Sequence, residues 1–261
     1  TRNALWSARA LTTAPDVVRE VHSDYLDAGA RVITTTTYQA TLPALIHSGE
    51  DAAGARRVIA AGARLAKEAA RQFGNEHPEE PVLVAGGLGP YGAYLADGSE
   101  YTGAYGIDIL EDPGFQEVHL PRIEVLVGEG VDLFALETLP RLDEARALAS
   151  MVTALAPQAQ CWVSFQVRPD GATLADGTPL AEAAAWAAQE EIVVAVGINC
   201  VAPGVVARAL PVLRAATDKP LVAYPNAGDL YDPATKTWQS TGDGAGIPEL
   251  APSWIAEGVR L

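Results

Sequence analysis

A thiol and an amide stand together at the end of the most apolar segment of the chain. Residues 193–200 read Val-Val-Ala-Val-Gly-Ile-Asn-Cys, a β-branched run that ends in Asn199 and Cys200. Such a run between helical patterns is typical of a strand buried on both faces in a parallel sheet. Catalytic groups of parallel barrels lie at the carboxyl ends of their strands, so both side chains are candidates for chemistry. The alternative is that Cys200 is only a small buried hydrophobic residue.

A carboxylate ends a second apolar run. Glu137 and Thr138 follow Leu133-Phe134-Ala135-Leu136, and a carboxylate in that position must find a cation or a hydrogen-bond donor to offset its desolvation. The ammonium group of a ligand would serve. The alternative is a cap or an ion pair at the start of the following helix.

Other polar or glycine-rich segments are expected at the same edge of the sheet. Residues 86–92 (Gly-Gly-Leu-Gly-Pro-Tyr-Gly) lack the Lys-Ser/Thr of a P-loop and the spacing of a dinucleotide-binding turn, so we interpret them as a loop that lets a ligand approach the backbone. The long loop from there to Gly106 is a mild indication of function. The remaining strand-end candidates are Thr36, Thr37, Tyr38, Gln166 and Asn226.

The histidines and lysines argue against two kinds of chemistry. His22, His47, His77 and His119 all fall in predicted helices or loops, so a histidine base or a histidine metal triad is not expected at the strand ends. Lys67, Lys219 and Lys236 do not end strands, which disfavours Schiff-base chemistry. Cys161 begins its strand and is expected at the opposite end.

Alternating strand and helix patterns must position these side chains. The strands are predicted at 31–38, 81–85, 131–137, 161–167, 193–200 and 220–226, and the helices at about 15–29, 50–73, 115–129, 141–155, 180–190, 203–216 and 250–258. This alternation predicts an α/β protein with parallel strands joined by right-handed crossovers. The chain ends at Val259-Arg260-Leu261, where another strand is about to begin. In a (β/α)8 TIM-type barrel the first strand would therefore lie before residue 1 and the eighth after residue 261. An open six-stranded sheet is the alternative.

Length and composition fit one α/β domain over residues 1–261. The formal net charge is -15 and the few basic residues are scattered, which disfavours nucleic acid and anionic membranes as partners. Two cysteines are too few for a disulfide framework, and there is no apolar signal segment or membrane-length run. We therefore expect a cytoplasmic protein. The sequence does not predict its oligomeric state.

The motifs at the strand ends resemble the zinc-dependent homocysteine S-methyltransferase family, especially its members that use S-methylmethionine or S-adenosylmethionine. The matching segments run nearly from end to end: 5–8 (Leu-Trp-Ser-Ala), 38–41 (Tyr-Gln-Ala-Thr), 87–92 (Gly-Leu-Gly-Pro-Tyr-Gly), 132–138 (Asp-Leu-Phe-Ala-Leu-Glu-Thr), 197–200 (Gly-Ile-Asn-Cys) and 224–228 (Tyr-Pro-Asn-Ala-Gly). Together they are highly specific, although no single one would suffice.

The resemblance implies a fold, a metal and roles for individual residues. The implied fold is a (β/α)8 barrel, here incomplete at both ends. The implied Zn2+ is held by Cys200 and by a cysteine pair in a Gly-Gly-Cys-Cys motif of the last strand, which this sequence does not contain; the family's Asp-Gly-Gly segment of the first strand is also absent. Glu137 would bind the ammonium of homocysteine, and Thr138, Asn199 and Tyr38 are further substrate-binding candidates.

The expected reaction is methyl transfer from a sulfonium donor to a zinc-activated homocysteine thiol, giving methionine. Cys200 is then the metal ligand and the catalytic residue, and the partners are two small molecules. Selenocysteine or another thiol remains open as the acceptor. A metal-free barrel that binds a small amino acid without turnover is the alternative function.

Overall fold

Six short apolar segments form one parallel sheet. The computed structural model describes residues 5–109, 111–227, 230–232, 237–239 and 246–261 of the chain. The sheet contains β1 (Val32–Thr34), β2 (Leu83–Leu88), β3 (Leu133–Leu139), β4 (Cys161–Phe165), β5 (Val193–Asn199) and β6 (Leu221–Tyr224). A separate antiparallel pair, β7 (Leu230–Asp232) and β8 (Thr237–Gln239), follows it.

Helices connect the strands in the predicted alternation. They are α1 (Ala10–Thr13), α2 (Pro15–Asp27), α3 (Leu42–His47), α4 (Ala52–Glu76), α5 (Tyr91–Leu95), α6 (Pro113–Gly128), α7 (Leu142–Leu155), α8 (Leu180–Gln189), α9 (Pro203–Ala216) and α10 (Ile247–Ala256), with 3-10 turns at Trp6–Arg9 and Ser99–Tyr101. Each of the seven predicted helices is confirmed to within a few residues. In the described ranges, no helix combines the length and the apolar character needed to cross a lipid bilayer.

Strand order follows chain order throughout the six-stranded sheet. Every strand pairs in parallel with the one that precedes it, which gives the order β1-β2-β3-β4-β5-β6 and a sheet curled into half of a barrel wall. The sequential order and the curl favour a piece of a barrel over the alternative of an open six-stranded sheet, since open doubly wound sheets reverse their order at a switch point. The predicted further strand position is also seen, because Val259 forms a parallel bridge with Leu221 of β6.

The two faces of the sheet have different neighbours. Outward side chains pack under the helices in the main core, which includes Phe134, Leu136, Val163 and Ile198. The concave face carries a smaller apolar cluster from five successive strands: Ala85, Leu133, Ala135, Trp162, Ala195 and Val222. Because strand side chains alternate, the polar residues that continue this inner face must point toward the concave side.

Two predicted segments differ from the structure. β1 ends at Thr34 and not at Tyr38, because the Thr35 and Thr37 hydroxyls bond to each other at 2.6 Å and to the backbone of Gly87, which turns the chain. The glycine-rich segment is partly strand: β2 continues through Gly87 to Leu88. A Cβ on Gly87 would lie 3.1 Å from Oε1 of Glu137, so glycine keeps the strand clear of that carboxylate.

Candidate active site

The predicted site residues meet in one cavity on the concave side of the sheet. The cavity has a volume of about 750 Å3, and its wall includes Tyr38, Glu137, Thr138, Asn199 and Cys200. These side chains come from the carboxyl ends of β1, β3 and β5, as the sequence predicts. Gln166 does not line the cavity, because β4 ends at Phe165 and the chain then turns into a tight bend. Cys161 is buried at the start of β4, as expected.

A bulge in β3 presents Glu137 and Thr138 to the cavity. The β3–β4 register shifts between Leu136 and Leu139, and Thr138 adopts a left-handed conformation with φ of 63°. Cys200 has the same unusual conformation, with φ of 53°. Residues other than glycine rarely adopt this conformation, and bulges and strained residues of this kind concentrate at functional sites. The bulge therefore lies where the β3 backbone departs from regular strand geometry, and both residues of the bulge line the cavity.

Asn199 braces the two strained segments across β4. Its Oδ1 accepts a hydrogen bond from the backbone N–H of Thr138 at 2.9 Å, and its Nδ2 donates to the Thr138 hydroxyl at 2.7 Å. The same Nδ2 lies 3.3 Å from Sγ of Cys200. Because Asn199 is 1 % exposed, these bonds form in a water-poor setting and fix the position of the thiol.

The Cys200 thiol is surrounded by hydrogen-bond donors and by negative charge. The Thr138 hydroxyl, 3.9 Å from Sγ, and the Asn199 amide both favour the thiolate. Burial dominates, however, and with the charges of Glu137 and Glu100 it raises the pKa of the thiol to about 11. The free thiol is therefore protonated at neutral pH, and a ligand that needs the thiolate must bring positive charge to it.

Glu137 is held by a tyrosine that the sequence analysis did not name as a site residue. The Tyr224 hydroxyl donates to Oε2 of Glu137 at 3.0 Å, and it accepts from Nε1 of Trp162 at 3.3 Å. Ser164 completes the group, with its Oγ 2.7 Å from the tyrosine oxygen. Tyr224 lies on the inner face of β6, and strand alternation was the signal that could have placed it there.

The Glu137 carboxyl is buried with little positive charge near it. Burial raises the pKa of this carboxyl to about 7, although the hydrogen bond from Tyr224 and the charge of Arg122 both lower that pKa. Among the described residues, the ion pairs closer than 4 Å do not involve Glu137. The predicted alternative, an ion pair or cap at the following helix, is therefore not what the structure shows. The carboxylate instead faces the cavity, where a ligand cation can reach it.

A buried arginine supports the segment that carries Tyr38. Arg122 of α6 is fully buried and donates to the backbone oxygens of Thr37, Tyr38 and Gly89 at 3.2, 2.7 and 2.9 Å. Tyr38 itself is partly exposed to the cavity. Burial, followed by the charge of Glu100, raises the pKa of its phenol well above the usual value, so the phenol stays protonated.

A second buried polar group lies behind that arginine. Glu144 accepts from the Tyr91 N–H and from the Tyr105 hydroxyl, each at 2.6 Å. Burial raises the pKa of Glu144 to about 7. Nε2 of His119 lies 3.8 Å from Glu144, while Nδ1 of the same ring lies 2.8 Å from Arg122. This network is structural, since its members do not line the cavity.

Two further titratable side chains of the cavity wall were missed by sequence reasoning. His22 of α2 lines the wall from a helix, and burial lowers its pKa so that the ring is neutral. Glu100 lies in the 3-10 turn Ser99–Tyr101 and is 6 % exposed. It belongs to the long loop after Gly92, whose length was the only indication of function there.

The described residues do not form a zinc site by themselves. Cys200 points its thiol into the cavity, but no group of three or more His, Cys, Asp or Glu suited to a metal occurs within the described part of the chain. Zinc sites normally use about three protein ligands or more. Cys200 therefore fits a zinc site as one thiolate, and these residues do not complete it.

Fold and site together define a parallel α/β protein that carries a thiol, a carboxylate and an amide brace at the carboxyl ends of its strands. The family model for homocysteine S-methyltransferases matches residues 1–261. The chain is 44 % identical over 261 residues to the homocysteine S-methyltransferase of Escherichia coli, covering 99 % of this chain and 83 % of that protein. It belongs to the homocysteine S-methyltransferase family.

A solved structure and a further relative extend the comparison. The metallated form of the Escherichia coli homocysteine methyltransferase MmuM superposes with a TM-score of 0.86 at 41 % identity, covering 100 % of this chain and 83 % of that one. A selenocysteine Se-methyltransferase of Brassica oleracea is 35 % identical over 268 residues, covering 98 % of this chain and 77 % of that protein.

Proposed function

We propose that this protein transfers a methyl group from a sulfonium donor, S-methylmethionine or S-adenosylmethionine, to the thiol of homocysteine. The observation that carries the proposal is the meeting of Glu137 and Cys200 at one cavity in a chain of this family. In the reaction, the homocysteine sulfur attacks the donor methyl carbon in line. The new sulfur–carbon bond gives methionine, the donor leaves as a neutral thioether, and the thiol proton passes to solvent.

Glu137 would hold homocysteine by its ammonium group. A cation beside a half-protonated buried carboxyl favours the ionised form, so binding would complete the charge of Glu137. Tyr224 keeps Oε2 in place through its 3.0 Å bond and has no hydroxyl hydrogen left for another acceptor. Holding the amino acid end fixes where its sulfur can lie, and such positioning supplies a large part of a methyl-transfer rate.

Cys200 would bind Zn2+ together with ligands from outside the described residues. When bound, zinc lowers the pKa of a coordinated thiol and so makes the homocysteine sulfur nucleophilic at neutral pH. Thr138 and Asn199 would keep Sγ of Cys200 oriented, since both contact it from the strand ends. Tyr38 closes the same side of the cavity and contributes a protonated phenol.

The same proposal includes the fold and the compartment. We infer that residues 1–261 belong to a single (β/α)8 barrel domain, because sequential parallel order and a curled sheet are features of that fold. Cys161 and Cys200 are both free thiols. A reducing compartment such as the cytoplasm would keep Cys200 available for metal.

Methionine formation is the direct test. The full-length protein, including the segments that supply the other zinc ligands, is incubated with homocysteine and S-methylmethionine, with and without added Zn2+, and methionine is measured by chromatography. We expect activity and about one bound zinc per chain, with both lost in Cys200→Ser. Cys161→Ser is the matched control, because Cys161 is buried at the opposite end of the sheet and should leave both unchanged. Amino acid binding without zinc or turnover would favour the alternative of a metal-free binding protein.

Selenocysteine is a second candidate acceptor. The likeness to a selenocysteine Se-methyltransferase favours testing it. A selenol is ionised at neutral pH, so it would depend less on metal activation than homocysteine does. The ratio of kcat/KM for the two acceptors under identical conditions decides which one the cavity prefers.

A further inference from the structure

Glu100 places a second buried carboxyl on the wall of the cavity. It is 6 % exposed, and burial, together with the charge of Asp97, raises its pKa to about 7 even though Tyr101 donates a hydrogen bond to it. Its charge also adds to the raised pKa of the Cys200 thiol, after burial and the charge of Glu137. The two carboxyls therefore act on the same thiol from one cavity.

The described residues give Glu100 no cationic partner. None of the ion pairs within the described part of the chain includes it, and its pKa carries no contribution from an arginine, lysine or histidine. An acidic side chain is rarely this buried without a partner. The proposed function assigns the homocysteine ammonium to Glu137, so a second carboxyl of this kind in the same cavity fits a cationic centre of the second substrate.

The turn that carries Glu100 is built to hold it in place. Glycine is required at position 92, because a Cβ there would lie 2.3 Å from the Glu100 backbone N. The turn is closed by a 2.7 Å bond from the Gly103 N–H to the Ser99 oxygen, and Arg141 binds the Gly103 oxygen at 3.2 Å. The carboxyl is therefore fixed against the cavity and does not sit on an unsupported loop tip.

Two tyrosines line the same cavity as Glu100. Tyr38 and Tyr101 both line the cavity, and the charge of Glu100 is the second largest cause, after burial, of the raised pKa of the Tyr38 phenol. A sulfonium is a diffuse cation with apolar substituents and no N–H or O–H to donate. Such cations are recognised by carboxylates and by the faces of aromatic rings, and this cavity wall contains both a carboxyl and tyrosine rings.

We propose that Glu100, with Tyr38 and Tyr101 beside it, forms the subsite for the positively charged sulfur of the methyl donor, while Glu137 serves the acceptor. This inference rests on the proposed function for the identity of the donor. It assigns the two carboxyls of the cavity to the two different substrates. As the methyl leaves, the donor sulfur becomes a neutral thioether and loses its attraction to Glu100, which favours product release.

The inference is tested by comparing the binding of two ligands that differ only in charge. S-methylmethionine and its uncharged carbon isostere homoleucine have the same shape and differ in the charge at the sulfur position. Calorimetric titration of the full protein should show at least about tenfold tighter binding of S-methylmethionine, as expected for a charge-assisted contact. Glu100→Gln should reduce that preference to near unity while homoleucine and homocysteine bind as before.

Asp97→Asn is the matched control. It removes the same charge from an exposed neighbour in the same loop and keeps an oxygen for the Ser99 N–H, so it should retain the preference. The inference is overturned if wild type does not distinguish the two ligands, if Glu100→Gln keeps the preference, or if it weakens both ligands equally. A protein that prefers S-methylmethionine through Glu100 but does not methylate homocysteine would contradict the proposed function and leave this inference standing.

Discussion

Removing one hydroxyl from the cavity should weaken homocysteine binding in a pH-dependent way. Tyr224→Phe deletes the donor that lies 3.0 Å from Oε2 of Glu137 and leaves the ring in place. A hydrogen bond to a charged group contributes about 1.5–3 kcal/mol, and a pKa unit corresponds to about 1.4 kcal/mol. The pKa of Glu137 is about 7, and the bond from Tyr224 is one of the contacts that keep it from being higher. Loss of that bond should therefore raise the pKa by roughly one to two units.

The size of the effect follows from the ionised fraction. At pH 7 about half of the Glu137 carboxyls are ionised in the wild type, but only about 1–10 % would be in the variant. The Kd for homocysteine should therefore rise about five- to fifty-fold at pH 7. The difference should shrink to about fourfold or less by pH 8.5, where the wild-type carboxyl is almost fully ionised and about a quarter to three quarters of the variant carboxyls are ionised.

Titration of homocysteine by calorimetry between pH 6 and 8.5 measures this directly. Tyr25→Phe is the control, since it removes a hydroxyl from a residue that lines the same cavity but is 65 % exposed. The reasoning is refuted if Tyr224→Phe leaves the Kd at pH 7 unchanged, or if its effect is the same at every pH.

Three further changes test the surroundings of the site by urea unfolding. Gly197→Ala places a Cβ 1.8 Å from a backbone oxygen of β6 and should cost about 3 kcal/mol or more, whereas Gly74→Ala, in open space within α4, should stabilise by up to about 1 kcal/mol. Glu144→Gln should gain about 2–3 kcal/mol of stability relative to wild type as pH rises from 5 to 8, because the raised pKa of Glu144 means that wild type alone must ionise a buried carboxyl in this range; a stability difference that does not change between pH 5 and pH 8 would refute this. Arg122→Met should cost about 3 kcal/mol or more, since it strips three backbone oxygens of their donor, while Arg56→Met, which breaks an exposed ion pair, should cost less than about 1 kcal/mol.

The sequence predicted the elements and the strand ends because both depend on local patterns. Apolar runs bounded by glycine and polar residues located all six strands of the parallel sheet, and the carboxyl-end rule brought Glu137, Thr138, Asn199 and Cys200 to one place. Both rules depend only on where a residue lies in the chain. They therefore predict the site correctly when a side chain projects from the end of its own strand.

Features that depend on contacts between distant segments were not predictable in this way. The bulge at Glu137 and Thr138 arises from the pairing of β3 with β4 and leaves no periodic signal. Tyr224 was placed on a strand, but its bond to a carboxyl on β3 required the curl of the sheet. Glu100 lies in a loop whose sequence has no periodic pattern. Its position in the cavity wall could therefore be found only from the three-dimensional structure.

The brace between Asn199 and Thr138 links β5 to β3 at the carboxyl end of β4. Residues 166–179 follow β4, do not line the cavity, and expose Arg168, Pro169 and Asp170 to solvent. This bend is consequently the place to attach a fluorophore or a tether without obstructing catalysis. Homologues can also be expected to differ there in length while keeping the chemistry of the opposite wall.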